Sequence, residues 1–293
     1  MAALRDIQNK ISAVKKTRQI TRAMNMVAAA KLRGVQDKTE KFRPYAEKFA
    51  EVLGSLAQGI NPDSHPLLAV PEAVTKVGLI LISSDRGMCG SFNANLIQAG
   101  TKFVKEKKEA DQEVNLYMVG KKARDYYKNR EYPIAEDMPG VMNSVDFDLA
   151  VTVARLGLDA FLAGEVDEVY VLYSKFKSMA AQVPTVERLL PIQPEALEGD
   201  EGADAGQEYL TEPSAEEILV DLLPRFLNVR VYSALLETST GENAARMTAM
   251  DNATNNCSDM IDNLTMLYNK ARQAAITMEL VDIIGGVEAL KAG

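Results

Sequence analysis

Histidine and cysteine are nearly missing from this chain. Its 293 residues include one histidine, His65, in the proline-flanked stretch NPDSHPLL, and two cysteines, Cys89 and Cys257. Two cysteines exclude a disulfide framework and a four-ligand zinc site, which suits a reducing compartment. A cysteine nucleophile needs a base beside it, and the lone histidine sits in what reads as a loop, so a catalytic Cys89 is disfavoured. Also lacking is any apolar run near the ~18 residues that a membrane-spanning helix requires, and no secretory segment is expected. What the chain does have is 47% hydrophobic residues, enough for a core in one large or two modest domains.

Net positive charge is confined to one arm. Residues 1–33 hold Arg5, Lys10, Lys15, Lys16, Arg18, Arg22, Lys31 and Arg33 against Asp6, a balance of +7 that leaves −15 for the rest of a chain whose net charge is −8. Such an arm prefers an acidic partner. It can be read as an organelle transit peptide, a nucleic-acid arm, or a helix that meets acidic protein loops. Scarce serine and a periodicity running past residue 33 weaken the first reading. Missing interleaved aromatics, and a remainder that repels phosphate, weaken the second.

The hydrophobic pattern divides the chain into parts. Near the C-terminus Met247, Met250, Thr254, Cys257, Ile261, Leu264, Tyr268, Ala271, Ala275 and Met278 step by three and four, the pattern of a coiled-coil seam. That helix is expected to begin at Ser214, capped through Glu217, to be kinked or interrupted at Pro224, and to weaken or end at Gly285-Gly286. At the other end Leu4, Ile7, Ile11 and Val14 share the stepping, Ile20, Met24 and Val27 follow a phase slip, and Phe42, Tyr45, Phe49, Val52 and Leu56 resume it, with Pro44 expected to kink the helix. Between them, strands at 77–82, 113–119, 167–174 and 180–190 alternate with helices near 93–109, 121–130 and 147–163, which predicts an α/β domain with a mostly parallel sheet. The last two strands are joined by a link too short for a crossover and predict an antiparallel hairpin. The expected divisions are a helix over 1–58, an α/β domain over 74–194, an acidic linker over 195–213 and a helix over 214–293. Helices of about 57 and 70 residues, the second counted to near Gly285-Gly286, span roughly 85 and 105 Å at 1.5 Å per residue. They predict a long antiparallel coiled coil.

One stretch has the position of a ligand loop. SSDRGMCGSFNAN, residues 83–95, follows the apolar run VGLILI and leads into a helix, where phosphate-binding loops are found. Yet Gly87 and Gly90 supply neither GxxxxGK[ST] nor GxGxxG. The stretch reads as a tight structural turn, and Asp85 and Arg86 as an ion pair. No cofactor and no metal are expected.

ITRAMNMVAAAKLR, SSDRGMCGSFNAN, AARMTAMDNATNN and YNKARQAAITMELVDIIGG together resemble the gamma subunit family of rotary ATP synthases, over essentially the whole chain and in order. One departure is Val287, where the family usually has alanine after the second terminal glycine. The plastid dithiol insert is missing, so thiol regulation is not expected. The resemblance implies a Rossmann-like central domain without phosphate apparatus, and a non-catalytic central-stalk rotor, one copy per complex. It implies as partners three alpha and three beta subunits, epsilon and the c-subunit ring, with proton or sodium flow driving rotation. It also implies, with the missing transit segment, a peripheral place on the cytoplasmic side of a bacterial inner membrane. By resemblance Met24, Arg246, Arg272, Gln273, Thr277 and Glu279 meet beta, and Tyr209 lies in the foot near the c ring. Lys15, Lys16 and Arg18 form an electrostatic face toward acidic beta loops. Met24 as coil core, and Arg246 and Arg272 as solvated charges, stay open as alternatives. Two other functions stay open as well, an enzyme acting on a nucleotide or phosphate and a basic coiled-coil nucleic-acid or scaffold protein.

Chain geometry adds an expectation for the tip. If the two helices share a base, paired residues sum to about 272 at equal rise, so Met1 lies opposite Ala271. Beyond it Ile276, Met278, Leu280, Val281, Ile283, Ile284 and Val287 are apolar nearly all round, and such a helix must be buried by something. A sleeve of partner subunits, acting as a low-friction bearing, is favoured over docking on the chain's own α/β domain.

Overall fold

The computed structural model describes residues 2–57, 65–71, 73–192 and 215–292. Two long helices, α1 (Ala2–Ala57) and α5 (Ala215–Ala292), bracket strands and helices in the order β1 (Lys76–Ile82), α2 (Phe92–Glu109), β2 (Glu113–Val119), α3 (Lys121–Lys128), β3 (Ile134–Met138), α4 (Phe147–Leu162), β4 (Glu168–Phe176) and β5 (Gln182–Leu190). The chain divides into two compact units, Met1–Ala28 with Met247–Gly293, and Ala29–Arg246.

In the first unit α1 and α5 pair antiparallel. The Arg18 guanidinium donates to Ser258 Oγ at 3.5 Å, the Thr21 and Thr254 hydroxyls meet at 2.8 Å, and Asn25 Nδ2 donates to the Met247 carbonyl at 2.8 Å. Asn25 with Met247 meets the expected sum of 272, and the Thr pair lies three above it. On α5 the sequence-predicted seam is the less exposed face from Met247 to Ala275, with Met250 and Ile261 fully buried; Met278, its last expected member, is 69% exposed. On α1 the expected phase slip does not occur. Ile7, Ile11, Val14, Arg18, Thr21, Asn25 and Ala28 form one unbroken face in steps of four and three, while Ile20 and Val27 are more than half exposed. The reason is that backbone periodicity, not side-chain polarity, decides which residues face the partner helix. Three polar residues hold seam positions, and a reading that follows apolar residues steps off the face.

In the second unit the sheet order is β3-β2-β1-β4-β5. β1 pairs parallel with β2 and β4, β2 parallel with β3, and β4 antiparallel with β5 as the short link requires. The run VGLILI of β1 is buried on both faces, the signature of a central parallel strand. One core joins the sheet to α4 and to the Leu219–Leu236 part of α5, and a second joins it to α2 and α3. β3 was not legible. Its five residues, IAEDM, put two acids in a half-exposed edge, and short charged edge strands lack an apolar alternation.

The prolines and terminal glycines do not interrupt their helices. α1 runs through Pro44 and α5 through Pro224 and Gly285-Gly286. At Pro224 the lost backbone bond is offset by packing, since Leu223, Phe226 and Leu227 are each buried. Each glycine costs about 1 kcal/mol in a helix interior, too little to end a long helix alone. The acidic linker over 195–213 and the cap position Ser214 lie outside the described residues.

Candidate partner surfaces and a filled ligand crevice

The C-terminal ends of β1 and β4 form the switch point of the sheet, since the chain turns from α2 and α3 on one face to α4 on the other. In open α/β sheets this is where ligands bind. Here the turn after β1 consumes its own polar groups. The Ser84 hydroxyl lies within 2.7 Å of the Arg86 carbonyl and 2.9 Å of Asn93 Oδ1. Ser83 Oγ accepts from Ala123 N at 3.0 Å, and the Ser84 carbonyl from Lys122 N at 3.0 Å. Asp85 accepts from the backbone N–H of Lys121, Gly140 and Met142 at 2.8–2.9 Å. The first amides of α3 are therefore taken, and at the start of α2 Phe92 N donates to the Cys89 carbonyl at 3.2 Å.

This corrects the expected ion pair. Asp85 ties three backbone segments together, while the Arg86 guanidinium donates to Asn143 Oδ1 at 2.6 and 3.2 Å. An acceptor-only carboxylate gains more from several converging N–H groups than from one exposed cation. Cys89 is buried, burial pushes its thiol pKa up, and Asn93 Nδ2 donates to its sulfur at 3.1 Å. A raised thiol is a poor nucleophile at neutral pH.

The space beyond the strand ends is filled by α5. Thr238, Ser239, Thr240, Glu242 and Asn243 are all buried. Glu237 Oε2 accepts from Phe176 N at 2.9 Å and Thr238 Oγ1 from Ser174 N at 3.3 Å, so the helix caps the end of β4. Gly241 makes the approach possible, because a Cβ there would stand 3.2 Å from the Phe92 ring and 3.3 Å from Gln182 Cγ. The chain's own helix thus occupies the crevice. Among the described residues no cluster of three or more His, Cys, Asp or Glu could hold a metal ion.

Arg246 lies in this assembly. Its guanidinium donates to Glu242 Oε1 at 2.7 Å and to the Gly87 carbonyl at 3.3 Å, and its side chain is 12% exposed. Burial raises the pKa of Glu242, and Arg246 opposes that shift. The sequence reading named Arg246 and missed Glu242, although the i, i+4 spacing of opposite charges was visible.

The other expected contact residues lie in the first unit. Lys15 and Lys16 are exposed, Arg18 and Met24 half-buried, and Arg272, Gln273, Thr277 and Glu279 exposed together near the end of α5. The Thr277 hydroxyl donates to the Gln273 carbonyl at 2.9 Å. Ile276, Leu280, Ile283 and Ile284 are 48–63% exposed, with Met278, Val281 and Val287 likewise in solvent. Tyr209 lies outside the described residues. An exposed apolar set the sequence reading did not single out, Met260 and Leu267, borders an open groove with Asn256, Asp259, Asn263 and Leu264. No helix among the described residues is long and apolar enough to cross a membrane.

Comparison with known proteins agrees with this arrangement. A family model described as ATP synthase matches residues 3–290. An ATP synthase gamma chain of Maridesulfovibrio salexigens is 53% identical over 292 residues, covering 99% of this chain and 100% of that one. One from Syntrophus aciditrophicus is 51% identical over 293 residues, covering all of both. Among solved structures, a chain of the Euglena gracilis mitochondrial ATP synthase (OSCP/F1/c-ring, rotational state 3) gives a TM-score of 0.69 at 23% identity, over 100% of this chain and 96% of that one. A chain of the Tetrahymena thermophila mitochondrial ATP synthase central stalk and c-ring gives 0.59 at 24%, over 80% and 99%. At these identities the structural matches speak for the fold.

Proposed function

Because the chain belongs to the ATP synthase gamma-chain family, we propose that it is the central-stalk rotor of a rotary ATP synthase, a non-catalytic subunit that carries rotation from an ion-driven ring to catalytic subunits. The observation that carries this reading is the end of α5. Its apolar residues from Ile276 to Val287 stand exposed in the single chain, and exposed apolar area of this extent marks a surface made for partners. The occupants we propose are alpha and beta subunits around the shaft, with epsilon and the c ring toward the α/β domain. Proton or sodium flow supplies the drive, at the cytoplasmic face of a bacterial inner membrane. Within this reading Arg272, Gln273, Thr277 and Glu279 hydrogen-bond beta, Met24 and Arg246 meet its acidic loops, and Tyr209 belongs to the foot. The test is co-purification of the tagged chain with a large ATPase hexamer. Recovery of the chain alone from cells that make the hexamer overturns the reading.

The filled crevice argues against an enzyme acting on a nucleotide. The isolated chain is expected to bind ATP more weakly than about 1 mM, which corresponds to roughly 4 kcal/mol. Calorimetry giving tighter binding that is lost in a Gly87 or Gly90 variant would show that the turn keeps phosphate-binding capacity.

The basic face yields a separate expectation. Replacing Lys15 and Lys16 by glutamate should weaken assembly or coupling while leaving the α/β unit folded, because exposed charges contribute about 0–1 kcal/mol to stability. Adding Arg18→Glu should do more, since Arg18 also reaches Ser258. Circular dichroism checks folding, and ATP-driven ion pumping in the reconstituted complex checks coupling. Normal pumping by the triple variant would make the arm an ordinary solvated face.

A further inference from the structure

The Thr21, Asn25 and Thr254 side chains are polar groups in a seam that apolar residues would fill more stably. Thr21 is buried and Asn25 and Thr254 are half-buried. The two hydroxyls form a chain that closes in either sense. Thr21 can donate to Thr254, which donates to the Met250 carbonyl at 2.8 Å, or Thr254 can donate to Thr21, which donates to the Arg18 carbonyl at 3.1 Å. Asn25 Nδ2 adds a bond to a backbone atom of the other helix, the Met247 carbonyl. All lie within one stretch, residues 18–25 against 247–254.

We propose that these three side chains are an interhelical clamp that fixes the axial position of α1 against α5. Apolar seam contacts resist separation but are non-directional, so they tolerate small sliding and twisting of one helix on the other. Hydrogen bonds do not, because they weaken steeply outside a narrow range of distance and angle. Polar residues at seam positions are known to set register at some expense of stability. A displacement of one helical rise, about 1.5 Å, would break the Asn25 bond and the hydroxyl chain together. The part of the clamp in carrying torque rests on the rotor reading; its effect on helix position does not.

The test uses the full chain with Cys89→Ala and Cys257→Ala, and spin labels on cysteines replacing the exposed Ser12 and Asp262, one on each helix. Pulsed electron resonance reads the distance distribution between them. Thr21→Val with Asn25→Leu removes the clamp and leaves no orphan, since Thr254 still donates to the Met250 carbonyl and the Met247 carbonyl keeps its helical partner. The expected result is a thermal midpoint unchanged or raised and a distribution broadened by about one helical rise, ~1.5 Å. Thr21→Ser, which keeps the hydroxyl, should retain the wild-type width. An unchanged width in the double variant would overturn the proposal. Should the double variant lower the midpoint, the Thr21→Val and Thr21→Ser pair decides the same question, equal widths overturning it.

In the assembled complex the double variant should hydrolyse ATP at the wild-type rate and pump fewer ions per ATP. Unaltered pumping with a broadened distribution would refute the torque-carrying role. A wild-type chain that restores no coupled pumping would count against the rotor reading, and the label distances would still judge the clamp.

Discussion

A cysteine at position 283 is expected to react rapidly with a maleimide in the isolated chain and about tenfold or more slowly in the assembled complex. Ile283 is 63% exposed in the single chain, as are its apolar neighbours to a similar degree. Burying the remaining surface of such a side chain stabilises by about 1–2 kcal/mol, and 1.4 kcal/mol is a factor of ten in the opening equilibrium. The background carries Cys89→Ala and Cys257→Ala, so the only reactive thiol is the introduced one. Equal protection in both states would show that the chain buries its own tip, and the sleeve would fall. If the sleeve holds, the apolar composition has a mechanical sense. Side chains that make weak, non-directional contacts can turn past their neighbours without breaking hydrogen bonds at each step.

The largest effect expected on stability comes from Gly120→Ala, which should destabilise the α/β unit by about 4 kcal/mol or more, the range reserved for severe clashes and strain. Gly120 joins β2 to α3 at φ +92° and ψ 152°, a region almost confined to glycine. A Cβ at this position would lie 2.1 Å from the Ser83 carbonyl oxygen. That oxygen is backbone, so no rotamer change relieves the clash. Ser83 N donates to the Val119 carbonyl and Gly120 N to the Met138 carbonyl, so shifting either chain opens the ends of three strands at once. Gly140→Ala is the control. Gly140 has φ +84° but nothing within 4 Å of its added Cβ, so it should lose only about 1 kcal/mol from the left-handed backbone. Urea unfolding of both variants separates clash from strain. Similar midpoints for the two would mean that the Ser83 carbonyl moves aside cheaply.

Much of this architecture was legible because its signals are local. The α5 seam could be followed residue by residue from Met247 to Ala275, the β1 run VGLILI announced a strand, and the short link between β4 and β5 required a hairpin. The register followed from counting, and Asn25 facing Met247 meets it. The unpartnered tip could also be read, since residues beyond Ala271 outrun the start of α1.

The failures share one cause. Ile20 and Val27 were placed on the seam because they are apolar, while Arg18, Thr21 and Asn25 hold it; polarity was taken for position. Asp85 was paired with its sequence neighbour, whereas its three donors come from residues 121, 140 and 142. β3, with two acids among its five residues, exists because β2 offers it an edge. Pro224 was expected to kink or interrupt its helix, and α5 runs through it with neighbouring side chains buried.

The sequence by itself determined which segments other than β3 are helix or strand, the antiparallel pairing of the two ends, and the absence of a phosphate-loop motif after β1. Those properties follow from spacing, residue type and chain length, which act within a few turns or strands. Only the tertiary structure decided that α5 fills the crevice at the sheet's switch point, that Arg246 reaches the Gly87 carbonyl there, and that a hydroxyl chain crosses the coil. These depend on groups up to 233 residues apart, as Thr21 and Thr254 are. No local pattern records such a meeting, because a hydrogen bond is specified by distance and angle in the folded chain.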